Sequence, residues 1–98
     1  MKKITLFCCA GMSTSMLVER MKQVATKEGK DYDIAAYSLN ELKEGAGSDV
    51  ILVGPQVRYA LKDVQKAYPD IPAATIDMRV YGMMDAKGCL TIAEKLMK

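Results

Sequence analysis

Four short apolar runs, Lys3–Phe7, Asp33–Tyr37, Val50–Val53 and Ala73–Ile76, recur between segments of helical periodicity. That alternation constrains the fold more than any other property of the chain. The first and third runs are almost continuously apolar, the pattern of strands covered on both faces of a parallel sheet. Between the first two, Leu17, Met21 and Val24 mark one face of a helix that Gly29 ends, with Lys27 in its last turn. Ser38 and Glu41 have capping-box spacing and start a short helix closing near Gly45. Pro55 suits the first turn of a third helix, with Val57, Leu61, Val64 and Tyr68 on one side and Pro69 as its stop. Leu90, Ala93 and Leu96 line a last helix that runs to the C-terminus.

Strict alternation of strand and helix predicts an α/β fold with right-handed crossovers. The expected architecture is a single four-stranded parallel sheet, order 2-1-3-4, with helices on both faces and one domain over residues 1–98. The switch point of that order lies between strands 1 and 3, where open sheets bind ligands. It faces the segment Cys8–Ser15, with Gly54-Pro55-Gln56 beside it.

Cys8-Cys9-Ala10-Gly11-Met12-Ser13-Thr14-Ser15 joins a strand end to a helix start. Backbone N–H groups and the positive end of the helix dipole converge in such a place, making an anion site. A thiol there ionises more readily than a free cysteine of pKa about 8.5. Cys8 is therefore the candidate nucleophile, the alternative being a buried cysteine packed at a strand end, and Cys9, Ala10, Gly11, Met12, Ser13, Thr14 and Ser15 form the candidate phosphate-binding loop. Gly11 suits a tight turn that brings backbone close to an anion. One of Ser13, Thr14 and Ser15 caps the helix, which is compatible with anion binding because both use the same donors. Cys9 lacks Cys-x-x-Cys spacing and its side chain reads as a bystander; Cys89 reads as a structural residue of the last helix.

The 98 residues include no histidine. That removes Ser-His and Cys-His pairs, histidine metal ligands and any phosphohistidine on this chain. The three cysteines have neither disulfide-framework nor zinc-ligand spacing, so no metal and no cofactor is expected. A net charge of +2, scattered Lys and Arg, and only five Tyr and one Phe argue against nucleic acid. The charged start followed by Ile4 to Ala10 imitates a secretory signal, but it is short and leads into Gly, Ser and Thr without a cleavage region. It reads as a core strand. With no apolar run near the ~20 residues of a membrane helix, a soluble, cytoplasmic chain without membrane insertion is expected. Among the eight methionines, Met12, Met78, Met83 and Met84 fall in or near loops after strands 1 and 4, which suits either an adaptable docking surface or core filler. Lys62, Asp63 and Lys66 read as a solvated helix face.

The Cys8 loop resembles that of the low-molecular-weight protein tyrosine phosphatases, where the cysteine precedes five residues, an arginine and a serine. Thr14 stands at the arginine position and Ser15 at the serine position. Asp77 and Asp85 follow strand 4, but neither has the Asp-Pro setting of the phosphatase general acid. A small cysteine phosphatase or arsenate-reductase-like enzyme is thus the alternative reading, lacking clamp and acid. A non-catalytic anion-binding regulator would instead tolerate Cys8→Ser.

A closer resemblance covers essentially the whole chain. Leu6 through Ser15, the turn Gly54-Pro55-Gln56-Val57 and the pair Tyr81-Gly82 resemble the IIB component of bacterial sugar phosphotransferase systems. The branch is the lactose/cellobiose/chitobiose (N,N'-diacetylchitobiose) type, and Cys9 stands where relatives have serine. The resemblance implies the fold of the low-molecular-weight phosphatases and the activity of a cytoplasmic phosphotransferase. Cys8 would take phosphate from a phosphohistidine of the IIA component and pass it to a β-linked disaccharide bound by the membrane IIC component. Both transfers imply a thiol exposed on a shallow surface. A relay must hold its thiophosphate away from water, which fits the missing arginine and acid.

Overall fold

The computed structural model describes residues 2–8 and 12–97, with only the backbone for residues 12–14. Strand β1 (Lys2–Cys8) leads to helix α1 (Met12–Lys27), strand β2 (Tyr32–Ser38) and a 3-10 helix (Leu39–Gly45). Strand β3 (Val50–Val53) follows, then a second 3-10 helix (Pro55–Ala60) continuing into α2 (Leu61–Ala67). Strand β4 (Ala73–Thr75) and helices α3 (Met78–Gly82) and α4 (Ala86–Met97) complete the order. The sheet is wholly parallel and ordered β2-β1-β3-β4, as expected from the sequence.

Period-two alternation along the central strands divides the core in two. Ile4, Leu6 and Cys8 of β1, with Val50 and Leu52 of β3, face α1 and α4 and pack on Leu17, Met21, Cys89, Leu90 and Ala93. Phe7, Ile51 and Val53 face the other way, onto Val57, Val64, Leu42 and Tyr68. Thr5, on the second face, is buried and shares a 2.6 Å hydrogen bond with the Ser48 hydroxyl. Each fully buried Leu or Ile contributes roughly 1.5–3 kcal/mol relative to its exposed state.

Local signals set the ends of α1. Gly29 adopts φ +72°, its N–H donates to Thr26 O at 3.0 Å, and the Lys30 N–H donates to Ala25 O at 2.8 Å. These are the paired bonds of a Schellman cap, which favours glycine at the left-handed residue.

Two helices differ in kind from expectation. The Ser38 start is a 3-10 turn, with the Glu41 carboxylate accepting the Ser38 N–H at 3.4 Å. The Pro55 helix is interrupted at Val57 (φ −121°, ψ 28°) before the regular α2. Val57 is drawn into the second core, so burial there overrides helical regularity. Helix α3 was not expected. Asp77 starts it, its Oδ1 accepting N–H bonds from Arg79 (2.8 Å) and Val80 (3.3 Å). Met78 therefore lies in a helix, not a loop, and Met83 directly follows it.

Candidate functional site

Cys8 is the last residue of β1, paired in register with Ser38 of β2. Four residues later, at Met12, α1 begins. On the other side, the Gly54 N–H donates to Phe7 O at 2.8 Å and carries the ladder one residue past β3. A Cβ built on Gly54 would lie 3.2 Å from Cys8 Cβ and 3.4 Å from Cys8 Sγ. Close approach to Cys8, and not backbone conformation, therefore favours glycine here, since its φ of −62° is open to any residue. The same point is 3.6 Å from Gln56 Oε1. Strand end, glycine turn and glutamine side chain thus meet at the β1/β3 switch point.

The thiol is less accessible than the relay reading implied. Cys8 is 1 % exposed, because alternation turns it toward α1 and α4 rather than toward solvent. Cys89 shares that cluster and is fully buried. Its thiol is pushed up to about 12, first by burial, then by the Asp85 carboxylate and by Cys8. Cys89 therefore stays protonated at neutral pH and is not a competing nucleophile.

Asp77 caps α3, and Asp85 accepts the Gly88 N–H at 3.0 Å in the first turn of α4. Both carboxylates thus accept backbone N–H bonds at helix starts. Of the candidate loop, Cys9, Ala10 and Gly11 lie outside the described residues. Met12, Ser13 and Thr14 open α1, with their side chains outside the description; because the helix already starts at Met12, Ser13, Thr14 and Ser15 lie within it and none is its N-cap, contrary to expectation. Ser15 is exposed and lines a shallow depression with Glu19, Lys22 and Ala35. The described residues bring together Cys8, Gly54 and Gln56; the role of the loop backbone between Cys8 and Met12 stays an expectation.

Around the end of the sheet that carries Cys8, large apolar side chains stand in solvent. Met78 and Met83 are exposed, as are Met16 on α1 and Tyr59 on the 3-10 helix after β3. Met84 differs: it is half-buried against the first core, with φ +52°. Sequence reading missed Met16 and Tyr59, although their positions just past the ends of β1 and β3 were a usable signal. No group of His, Cys, Asp or Glu among the described residues could hold a metal ion.

The opposite end of the sheet is ionic. Lys30 bridges Glu94 and Glu28, Tyr32 donates to Glu94 at 2.7 Å, and Lys87 lies 3.4 Å from Glu28. Lys30 holds both carboxyls below the usual carboxylate range, and the carboxylates raise Lys30 in turn. Next to this network lies a depression of about 480 Å³ lined by Lys2, Tyr32, Thr91 and Lys95 among others. It holds none of the residues named around Cys8. No helix among the described residues is long and apolar enough to cross a membrane.

The family model described as "PTS system, Lactose/Cellobiose specific IIB subunit" matches residues 3–91. A galactose-specific EIIB component of Lactococcus lactis subsp. cremoris is 43% identical over 104 residues, spanning 98% of this chain and 96% of that protein. A cellobiose-specific EIIB component of Lactococcus lactis subsp. lactis matches with the same identity and coverage. An oligo-beta-mannoside-specific EIIB component of Bacillus subtilis is 40% identical over 100 residues, covering 99% of this chain and 97% of its own. The solution structure of a cellobiose-specific phosphotransferase IIB component from Borrelia burgdorferi superposes with TM-score 0.80 at 34% identity, over 98% and 91% of the two chains. A lactose-specific IIB domain from Streptococcus pneumoniae shares the fold, with TM-score 0.71 at 16% identity over 95% of each chain. The match through residues 3–91, the relatives aligned along their whole length and the shared sheet architecture place this chain in the lactose/cellobiose-specific IIB family of the sugar phosphotransferase system, whose members are phosphotransferases.

Proposed function

We propose that this protein is a cytoplasmic phosphoryl carrier working through Cys8. The observation that carries the reading is the thiol at the end of β1, pressed against Gly54, just ahead of the α1 N-terminus. In the first step the Cys8 thiolate attacks the phosphorus of a phosphohistidine on the IIA component. The S–P bond forms, the N–P bond breaks, and the imidazole departs. In the second, a hydroxyl of the sugar bound by the membrane IIC component attacks the phosphocysteine, breaking the S–P bond and returning the thiolate. The hydroxyl proton leaves to a base on the partner or to water. The chain has no histidine, so the donor imidazole must come from another protein.

Charge on the travelling group is met by backbone N–H groups at the α1 N-terminus, a fixed array that needs no reorganisation during transfer. With Thr14 at the position a phosphatase gives to arginine, and with Asp77 and Asp85 held in caps, water lacks both clamp and acid. The exposed Met16, Tyr59, Met78 and Met83 form the docking face for the IIA and IIC partners. The sugar class proposed is a β-linked disaccharide of the cellobiose, chitobiose or lactose type; the cellobiose-specific relatives support it, while others are named for galactose and oligo-beta-mannosides.

The test is the lifetime of the phosphorylated protein. After loading by phosphorylated IIA, it should persist alone and discharge rapidly only with IIC and sugar. Thr14→Arg should shorten the partner-free lifetime. Rapid hydrolysis of the unaltered protein in the absence of partners would instead make it a phosphatase.

A further inference from the structure

We infer that Gln56 binds the phosphoryl group carried on Cys8, its carboxamide supplying an N–H donor in place of the missing arginine; this rests on the relay reading above. One point in space, the position of a Cβ on Gly54, lies 3.4 Å from Cys8 Sγ and 3.6 Å from Gln56 Oε1. Leaving aside the glycine's chain neighbours, these and Cys8 Cβ are the nearest atoms to that point. A phosphoryl group extends two bonds beyond the sulfur, so its oxygens enter the space that the carboxamide borders. Rotation about the terminal torsion of a glutamine, which is broad, presents Nε2 in place of Oε1.

The backbone on either side of Gln56 is fixed. The Gly54 N–H is bonded to Phe7 O, Pro55 is buried, and the Val57 N–H donates to Gly54 O at 3.0 Å. Val57 is itself anchored in the second core. Gln56 is exposed between the buried Pro55 and Val57, so the contacts that fix the backbone on either side of it set where its side chain leaves the turn. A neutral amide also suits a relay. It orients a dianion and lowers its energy without the full positive charge that an arginine brings to the hydrolytic transition state.

The experiment compares the wild type with Gln56→Ala, Gln56→Glu and Gln56→Lys, each loaded by phosphorylated IIA. Transfer rate is one readout; the second is the phosphocysteine's second ionisation, followed by ³¹P NMR on the isolated protein. Loss of one charge-assisted hydrogen bond should slow loading of Gln56→Ala roughly tenfold or more and raise the ionisation. Gln56→Glu should be slower still with a larger rise, while Gln56→Lys, which keeps a donor, should retain loading and shift the ionisation down. A wild type labelled on Cys8, with Gln56→Ala matching it in both readouts, overturns the role of Gln56 alone. A wild type that takes no phosphoryl group overturns the relay and this role with it.

Discussion

Gly54 leaves little room for a methyl group beside Cys8: a Cβ there would sit 3.2 Å from the cysteine Cβ and 3.4 Å from its sulfur. The nucleophile and the turn after β3 are therefore fitted to each other. Gly54→Ala should push the thiol or the turn by a few tenths of an ångström, and Gly54→Val should do worse. Overpacking of this kind costs about 1–3 kcal/mol, measurable by denaturant unfolding. Phosphoryl loading should fall further than stability, because the displaced atom is the reacting sulfur. Equal loading by Gly54→Val and wild type would show that the contact does not position the thiol.

Cys89 is predicted to be inert. With its thiol raised to about 12 by burial, it should resist alkylation in the native protein, and Cys89→Ala should still load one phosphoryl group. The shift also sets an alkaline limit. The unfolded thiol ionises near 9 and the folded one near 12. Between those values the unfolded state has lost a proton that the folded state keeps. Stability contributed by this group is thus present below pH 9 and declines as pH rises above it. Cys89→Ala, though less stable at neutral pH, should show a shallower alkaline decline.

At the other end of the sheet the sign reverses. Glu94 is held below its ordinary 4.5, first by the Lys30 hydrogen bond and then by Tyr32, and Glu28 is lowered by Lys30. Their contribution is present above the unfolded value and lost as pH falls through the depressed folded values. Unfolding followed by circular dichroism should show a fall in stability below about pH 4.5 that Glu94→Gln reduces, with phosphoryl loading at pH 7 unchanged.

Asp77→Ala separates carrier from phosphatase. As the cap of α3 it should cost about 1 kcal/mol of stability. Loading and partner-free lifetime of the phosphoprotein should survive, where a general acid would be indispensable to turnover. Met83→Glu, by contrast, should raise the IIA concentration needed for half-maximal loading with little change in the maximal rate.

Much of this could be read from the residues, where local chemistry decides. Gly29 and Lys27 mark the end of α1 because the Schellman cap is set within six residues, Ala25 to Lys30. The sheet order follows from strand alternation and economy of connection. Helix α3 escaped because five residues held by one aspartate carry no apolar period. The burial of Cys8 was legible as the alternative of a cysteine packed at a strand end: Ile4, Leu6 and Cys8 share a parity, so the face that helices cover also covers the thiol. The approach of Cys8 and Gln56 to the same side of Gly54 could not be read, since it joins residues 48 apart through a turn whose geometry is set by Phe7 and Val57.

The central claim is that Cys8 carries the phosphoryl group, and intact-mass and peptide mass spectrometry after incubation with phosphorylated IIA test it most directly. The account predicts one added phosphoryl group, located on Cys8, and none on Cys8→Ser. Label on Cys9 or Cys89, or undiminished labelling of Cys8→Ser, would contradict it.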